Sequence, residues 1–207
     1  SSRGPRRAMT GIDVALGTAI VLVHVGGAAH AAYTDTERLR ERFERSRRAV
    51  LSAALPRAIE GIDVVVVSAS DYATGVNLPW VRLAHGLPMP KSYRLLSGAR
   101  QAHELLRIDA RSIELNILSN DVRGAFAGSA YRTDDDALHA GQRFQLPGLR
   151  IEVLSVQDGN PQRLRFQFDR PLEDPTLFFL YAYPDRLRQL PLPKVGERML
   201  LPMAALP

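Results

Sequence analysis

A histidine within an apolar stretch is the residue whose position in this sequence most suggests chemistry. His24 lies near the middle of residues 12–32, IDVALGTAIVLVHVGGAAHAA, and the chain from Val14 to Val25 is otherwise apolar except for Thr18. An imidazole in the middle of a membrane helix usually faces protein, water or a cofactor, and it can ligate haem or a chlorin through one ring nitrogen. The alternative, which we favour, is a neutral imidazole hydrogen-bonded to a neighbouring helix. His30 lies about 120° further round the helix, so the two histidines cannot share a metal ion.

Other residues that could take part in catalysis follow a strand-like run. Ser68, Ser70 and Asp71 come after IDVVVV, where a nucleophile could stand. The sequence has no G-x-S-x-G motif, and nothing in it places His85 or His103 beside these residues. Serine and aspartate at the end of a strand cap turns far more often, so no catalytic residue is predicted.

Acidic residues cluster at two places in the chain. The residues 134–136 are three consecutive aspartates and His139 follows them, and oxygen ligands on a loop suit Ca²⁺. The spacing and the glycine of an EF-hand loop are absent, so we predict a solvated loop and no metal site. Glu173 and Asp174 flank a turn between two prolines, where carboxylates typically accept backbone N–H bonds.

The apolar stretch has the length of a membrane span. Its 21 residues form a helix of about 31 Å, which matches the hydrocarbon core of a bilayer, and we predict a transmembrane helix at residues 11–33 after a basic tail at 1–10. Two alternatives remain open. Arg3, Arg6 and Arg7 with the A-x-A sequence Ala29-His30-Ala31 fit a signal peptide, and a buried helix of a soluble protein is also compatible.

One face of this predicted helix is rich in small residues. The residues Ala15, Ala19, Gly26 and His30 recur at intervals of four, seven and four, which places them on the same side of the helix. Small side chains allow a neighbouring backbone to come close, and van der Waals packing then holds the two helices together. We therefore predict that this face packs against a helix of another membrane protein subunit.

The charge of the chain is concentrated beside the predicted span. Residues 1–48 contain nine arginines and five acidic residues, whereas the remainder contributes only +1 to the net charge of +5. A basic collar next to a span suits anionic lipid headgroups better than a phosphate backbone, so nucleic acid is not an expected partner. Six arginines follow the span and three precede it, which predicts that the C-terminal domain lies on the cytoplasmic side.

An amphipathic helix is predicted directly after the span, at residues 34–58. Its period places Leu39, Phe43, Val50 and Ala54 on one apolar stripe, and Pro56 ends it. The helix either lays this stripe on the following domain or lies along the headgroups, where its arginines reach anionic lipid.

The chain from residue 59 to 207 has the pattern of a β-rich domain. The sequence IDVVVVSAS predicts a buried strand, and LRIEVLSV with RLRFQF predicts a hairpin across QDGNPQ. A short helix is predicted from Asn77 to His85, with Pro79 near its first turn and Gly86 after its end. Further strands are predicted at Tyr93–Leu96, Glu104–Ile108, Ser112–Leu118, Arg143–Leu146, Leu149–Val156, Arg163–Phe168, Thr176–Tyr183 and Glu197–Leu201. The predicted fold class is mainly β (α+β), an antiparallel β-sandwich or barrel-like domain.

Three segments of this domain carry a resemblance to a known group: VVVVSASD (64–71), DRPLEDPTLFFLYAY (169–183) and LPKVGERMLLP (192–202). Together they resemble the C-terminal extramembrane domain of uncharacterised multi-pass bacterial membrane proteins, in which a last membrane helix leads into a VVVV-type strand. This chain departs from that group in having one predicted span and SASD where an Asn and a Pro follow the valines. The group has no established activity, so the resemblance implies an architecture and not a reaction.

The expected function is that of a non-enzymatic accessory or structural subunit of a bacterial membrane protein complex. One helix would anchor it in the inner membrane, and the β-rich domain would cap a partner. The alternatives are a membrane-anchored hydrolase or transferase and a membrane-displayed sensor or binding domain. An enzyme needs a cleft with converging polar groups, whereas a subunit needs exposed apolar patches.

Overall fold

The computed structural model describes residues 33–202 apart from 39, 42, 57, 70, 71, 100, 119–137, 158, 184 and 185, and only the backbone at 72–74 and 76. The chain divides into two compact units, Ser1–Glu44 and Arg45–Pro207. The basic tail, the predicted span at 11–33 except its last residue, His24 and the predicted packing residues Ala15, Ala19, Gly26 and His30 lie outside the described residues. Among the residues from 33 onwards that the structure describes, no helix is long and apolar enough to cross a membrane.

The first helix, α1, is helical at the described residues from 33 to 51. It is therefore shorter than the predicted 34–58, because Ala54 leaves the helix and donates its backbone N–H to the carbonyl of Leu187 at 3.3 Å. On the predicted apolar stripe, Val50 is buried and Phe43 is exposed. The first unit contains exposed ion pairs between residues three apart, such as Arg38 with Asp35 at 3.6 Å.

The described residues of the second unit form ten strands in two sheets, so the prediction of a β-rich domain is confirmed. The small sheet has the strand order β2-β1-β8-β9, and the large sheet has the order β10-β3-β4-β7-β6-β5. The elements in chain order are β1 (Asp63–Ser68), α2 (Tyr72–Ala84), β2 (Ser92–Leu95), β3 (Ala102–Arg107), β4 (Ser112–Leu118), β5 (Arg143–Leu146), β6 (Leu149–Gln157), β7 (Asn160–Phe168), β8 (Leu177–Tyr183), β9 (Arg186–Gln189) and β10 (Arg198–Leu201).

The small sheet corrects the prediction of a wholly antiparallel domain. The strand β1 pairs in parallel with both β2 and β8, and only β8 and β9 are antiparallel. Parallel neighbours need a long crossover, and α2 supplies it between β1 and β2. The predicted helical turns at 77–85 are thus the second half of a 13-residue helix, and Pro79 lies inside it rather than at its first turn.

The valine run of β1 is explained by burial on both faces of the small sheet. Val65 and Val67 point into a core shared with the large sheet. Val64 and Val66 point the other way, into a second core that contains Leu78 of α2 together with Val50 of α1. A strand that is covered on both sides has no polar face, so its sequence does not alternate. The unit therefore has three layers: helices, small sheet and large sheet.

The hairpin of β6 and β7 is confirmed, with Gln157 opposite Asn160 at its tip. On β7, Leu164, Phe166 and Phe168 point into the core shared by the two sheets. The intervening residues Arg163, Arg165 and Gln167 point outwards because side chains alternate along a strand.

The segment between β7 and β8 joins the two sheets through charged side chains. Arg170 donates a hydrogen bond to Asp63 at the start of β1, and another to the Thr176 hydroxyl at 2.7 Å. Glu173 accepts a hydrogen bond from Arg107 at the end of β3. We call residues 170–176 the clamp turn, because it binds the small sheet through Asp63 and the large sheet through Arg107.

Replacing Asp63 with Asn should destabilise the domain by about 3 kcal/mol, because it leaves the Arg170 charge without its buried counter-ion. Urea unfolding of the two proteins measures the difference. Asp35→Asn is the matched control: it removes an exposed carboxylate from an ion pair and should change stability by less than about 0.5 kcal/mol. Equal effects of the two substitutions would contradict the assigned role of Asp63.

Candidate functional site

The face of the large sheet that points away from the core carries alternating charges. Neighbouring strands bring side chains of opposite charge directly opposite each other, which stabilises their pairing. From β5 to β10 the directly paired positions on this face are Arg143, Glu152, Arg165, Glu114, Leu106 and Arg198. We call these six residues the charge row.

Glu114 is the centre of the charge row. Its side chain is only 7% exposed, and its two oxygens accept hydrogen bonds from Arg163 at 2.8 Å and from Arg165 at 2.7 Å. Burial raises the pKa of Glu114, but the hydrogen bonds from Arg165 and Arg163 outweigh it, so the pKa lies below its ordinary value. A hydrogen bond from Arg143 likewise lowers the pKa of Glu152. Both carboxylates are therefore ionised at neutral pH.

A depression of about 130 Å³ lies at the β10 end of this face. It is lined by Glu104, Leu106, Glu114, Asn116, Arg163 and Arg198. Glu104 accepts a hydrogen bond from Arg198 at 2.7 Å, so each carboxylate of the lining is already neutralised by an arginine. Leu200 stands opposite Glu104 and is 63% exposed. Because Glu114 is held ionised rather than poised to exchange a proton near neutral pH, the depression suits binding better than acid–base catalysis.

A serine and a histidine form a second polar pair, in the interior. Ser97 Oγ lies 2.8 Å from His103 Nε2 and accepts a hydrogen bond from the backbone N–H of Ala99 at 3.2 Å. Burial lowers the pKa of His103 to about 4, although a hydrogen bond to the backbone of Gln101 acts in the opposite direction. The imidazole is therefore neutral at physiological pH.

The burial of this pair decides its role. Ser97 and His103 are each 1% exposed, so a substrate carbonyl has no route to the hydroxyl. The backbone carbonyl of Ser97 also accepts a hydrogen bond from Ala69, the residue after β1, at 3.0 Å. The pair thus joins the small sheet to the start of β3 and acts as a structural contact.

Sequence reasoning missed this pair because no known sequence motif links a serine to a histidine six residues later. One local signal could have found it: His103 shares the inward face of β3 with Leu105, and a histidine at such a position needs a hydrogen-bond partner. The charge row was visible only in part, as the outward arginines of β7. Its carboxylates come from β4 and β6, and their positions depend on strand register.

The candidate residues of the sequence do not form a site in the described part of the chain. Ser68 is buried in β1 and His85 is exposed after α2, while Ser70 and Asp71 lie outside the described residues. His139 is exposed, and the aspartates at 134–136 also lie outside the described residues. Within the described ranges, no three histidine, cysteine or acidic side chains are grouped so that they could hold a metal ion.

The acidic turn was predicted in part. Asp174 accepts hydrogen bonds from the hydroxyl of Thr176 at 2.5 Å and, as expected, from its backbone N–H at 2.8 Å, and these bonds lower the pKa of Asp174. Glu173 accepts a hydrogen bond from the side chain of Arg107, which together with a hydrogen bond from the backbone N–H of Glu173 lowers the pKa of Glu173.

Comparisons of the chain with models of protein families, with curated proteins and with solved structures give no match. The resemblance of its C-terminal segments to extramembrane domains of multi-pass membrane proteins stays a prediction from the sequence.

Protonation of His103 should make the stability of the protein depend on pH. Its pKa falls from 6.5 to about 4 on folding, so below pH 6.5 the unfolded chain takes up a proton that the folded chain does not. The free energy of unfolding should therefore fall as the pH is lowered from about 6.5 to about 4, by up to about 3 kcal/mol, and this contribution is complete above pH 6.5.

Urea unfolding at several pH values measures this dependence against His103→Gln. The variant keeps an amide that can hydrogen-bond but cannot titrate, so its free energy of unfolding should fall less steeply over the same range. Parallel pH curves for the two proteins would show that His103 is not the group responsible.

Proposed function

We propose that this protein is a non-enzymatic accessory or structural subunit of a bacterial membrane protein complex. The predicted helix at 11–33 anchors it in the inner membrane, and the large sheet of the second unit caps a partner subunit. The observation that carries this proposal is the outer face of the large sheet, where the exposed Leu200 of the edge strand β10 lies beside arginine and glutamate side chains.

The composition of this face supports protein binding. Leu200 is exposed beside the depression that Leu106 lines, and Arg198 and Arg163 stand around them. Protein interfaces typically combine a buried apolar centre with a polar rim, and arginine is enriched in them. The charged residues that point outwards from the large sheet are the arginines 143, 150, 163, 165 and 198 and the glutamates 104, 114 and 152.

The charge of the face indicates the chemistry of the partner. Five arginines against three glutamates leave the face positive, so an acidic surface is complementary. The partner we propose is the extramembrane segment of a neighbouring subunit, with an apolar side chain that covers Leu200 and acidic groups that reach Arg163 and Arg198. The excess of arginines after the predicted span favours the cytoplasmic side for this contact.

The enzymatic and sensor alternatives have less support. Pockets for small molecules usually enclose about 300–1,000 Å³, whereas the depression on the large sheet encloses about 130 Å³. Ser97 and His103 have the side chains of a hydrolase pair, but both are buried beneath the protein surface.

Replacing Leu200 with Glu should release the partner. The substitution places a negative charge within the proposed interface, so the yield of copurified subunit from native membranes in mild detergent should fall at least about tenfold, a cost of about 1.4 kcal/mol. Because Leu200 is exposed, the thermal unfolding of the protein should hardly change.

Gln145→Glu is the matched control, because this exposed residue points outwards from β5 at the opposite edge of the large sheet and the substitution adds the same charge. It should retain the wild-type yield of partner. If Leu200→Glu copurifies every native partner as well as the wild type does, the large sheet does not carry the binding.

A further inference from the structure

In the part of α2 whose side chains the structure describes, large apolar residues face solvent, which is unusual for a helix at a protein surface. Trp80 is 67% exposed and Leu83 is 58% exposed, and Leu87 in the following loop is also exposed. Trp80 and Leu83 are three residues apart and share one side of the helix, and Leu87 follows in the loop after the helix ends at Ala84. We call Trp80, Leu83 and Leu87 the α2 stripe.

The rest of α2 offers no charge to solvate this stripe. The helix sequence YATGVNLPWVRLA contains one charged residue, Arg82, and that residue is buried, with Nε donating to the carbonyl of Pro88 at 2.9 Å. The opposite side of the helix packs into the core through Leu78. A helix on a water-facing surface normally carries polar residues on its outer side, so the α2 stripe indicates a surface that is covered in the working protein.

We propose that the α2 stripe lies in the headgroup layer of the bilayer that the predicted span crosses. This inference rests on the membrane attachment in the proposed function, but not on the partner of the large sheet. Tryptophan favours the membrane–water interface because its ring is apolar and its N–H can reach water. Trp and Leu are residues that interfacial helices insert into this layer, and in α2 the other side of the helix packs on the domain instead of carrying the usual charges.

Basic residues near the end of α1 fit the same environment. Arg47 and Arg48 are exposed there, and arginines next to a membrane are attracted to anionic headgroups. The last turn of α1 and α2 both pack against the same side of the small sheet, through Val50 and Leu78. The large sheet lies on the other side of the small sheet from α2 and Val50. Contact of the α2 stripe with lipid therefore leaves the charge row free to bind a protein.

The single tryptophan of the chain makes this inference measurable, because all tryptophan emission comes from Trp80. The full chain is reconstituted into vesicles of phosphatidylcholine and phosphatidylglycerol, with and without bromine atoms near the headgroup end of the acyl chains. The expected result is a blue-shifted emission that loses most of its intensity in the brominated vesicles and is little affected by acrylamide in the water.

Two variants test whether the quenching by lipid depends on the α2 stripe. Leu83→Glu places a charge within the stripe and should restore the emission in brominated vesicles with a shift to the red. Leu200→Glu is the matched control, because it adds the same charge at a similarly exposed leucine of the large sheet, and it should leave the quenching by lipid unchanged.

Wild-type emission that is equal in both kinds of vesicle overturns the inference, whatever the variants do. If acrylamide then quenches Trp80, the stripe faces water. If neither agent quenches it, protein covers the stripe, either residues 12–32 of the same chain or a second copy. A chain that floats with the vesicles but shows no lipid quenching contradicts this inference alone, whereas a chain that does not float with them contradicts the anchor of the proposed function.

Discussion

The ion pair between Arg170 and Asp63 is the contact on which the arrangement of the two sheets depends. Asp63 begins β1, accepts a hydrogen bond from Ser92 at the start of β2 at 2.5 Å, and is held by Arg170 from the clamp turn. The same turn reaches the large sheet through Glu173 and Arg107. Because a buried charge without its partner is costly, this geometry favours one path for the chain from β7 into the small sheet, beside β1.

The sequence predicts those parts of the fold that depend on local patterns. The unbroken run of valines in β1 predicts a strand that is buried on both faces, and the alternating residues of β7 predict a strand that is buried on one face. The length of the crossover helix α2 was underestimated because Gly75 and Pro79 have low helix propensity. Tertiary contacts stabilise the helix instead. Leu78 is buried in the core, and the hydroxyl of Tyr93 donates a hydrogen bond to the carbonyl of Gly75. The ion pairs could not be predicted, because Asp63 and Arg170 are 107 residues apart and Glu114 meets Arg165 only through strand register.

The layered structure separates two surfaces with different chemistry. The α2 side is apolar and carries the one tryptophan, whereas the outer side of the large sheet is a network of arginines and glutamates beside the exposed Leu200. The small sheet between them is covered on both sides, so its residues serve packing rather than binding. One surface therefore suits lipid and the other suits an acidic protein, which is the arrangement expected of a domain that caps a partner at a membrane.

Membrane attachment through residues 11–33 is the claim on which both proposed contacts depend. Extraction of native membranes with alkaline carbonate tests it most directly, because this treatment removes peripheral proteins and leaves membrane-spanning ones in the lipid. A shortened chain that begins at Tyr33 is the control, since it keeps the α2 stripe but lacks the apolar stretch. We expect the full chain to stay in the membrane pellet and the shortened chain to be released. Release of the full chain into the supernatant would contradict the claim.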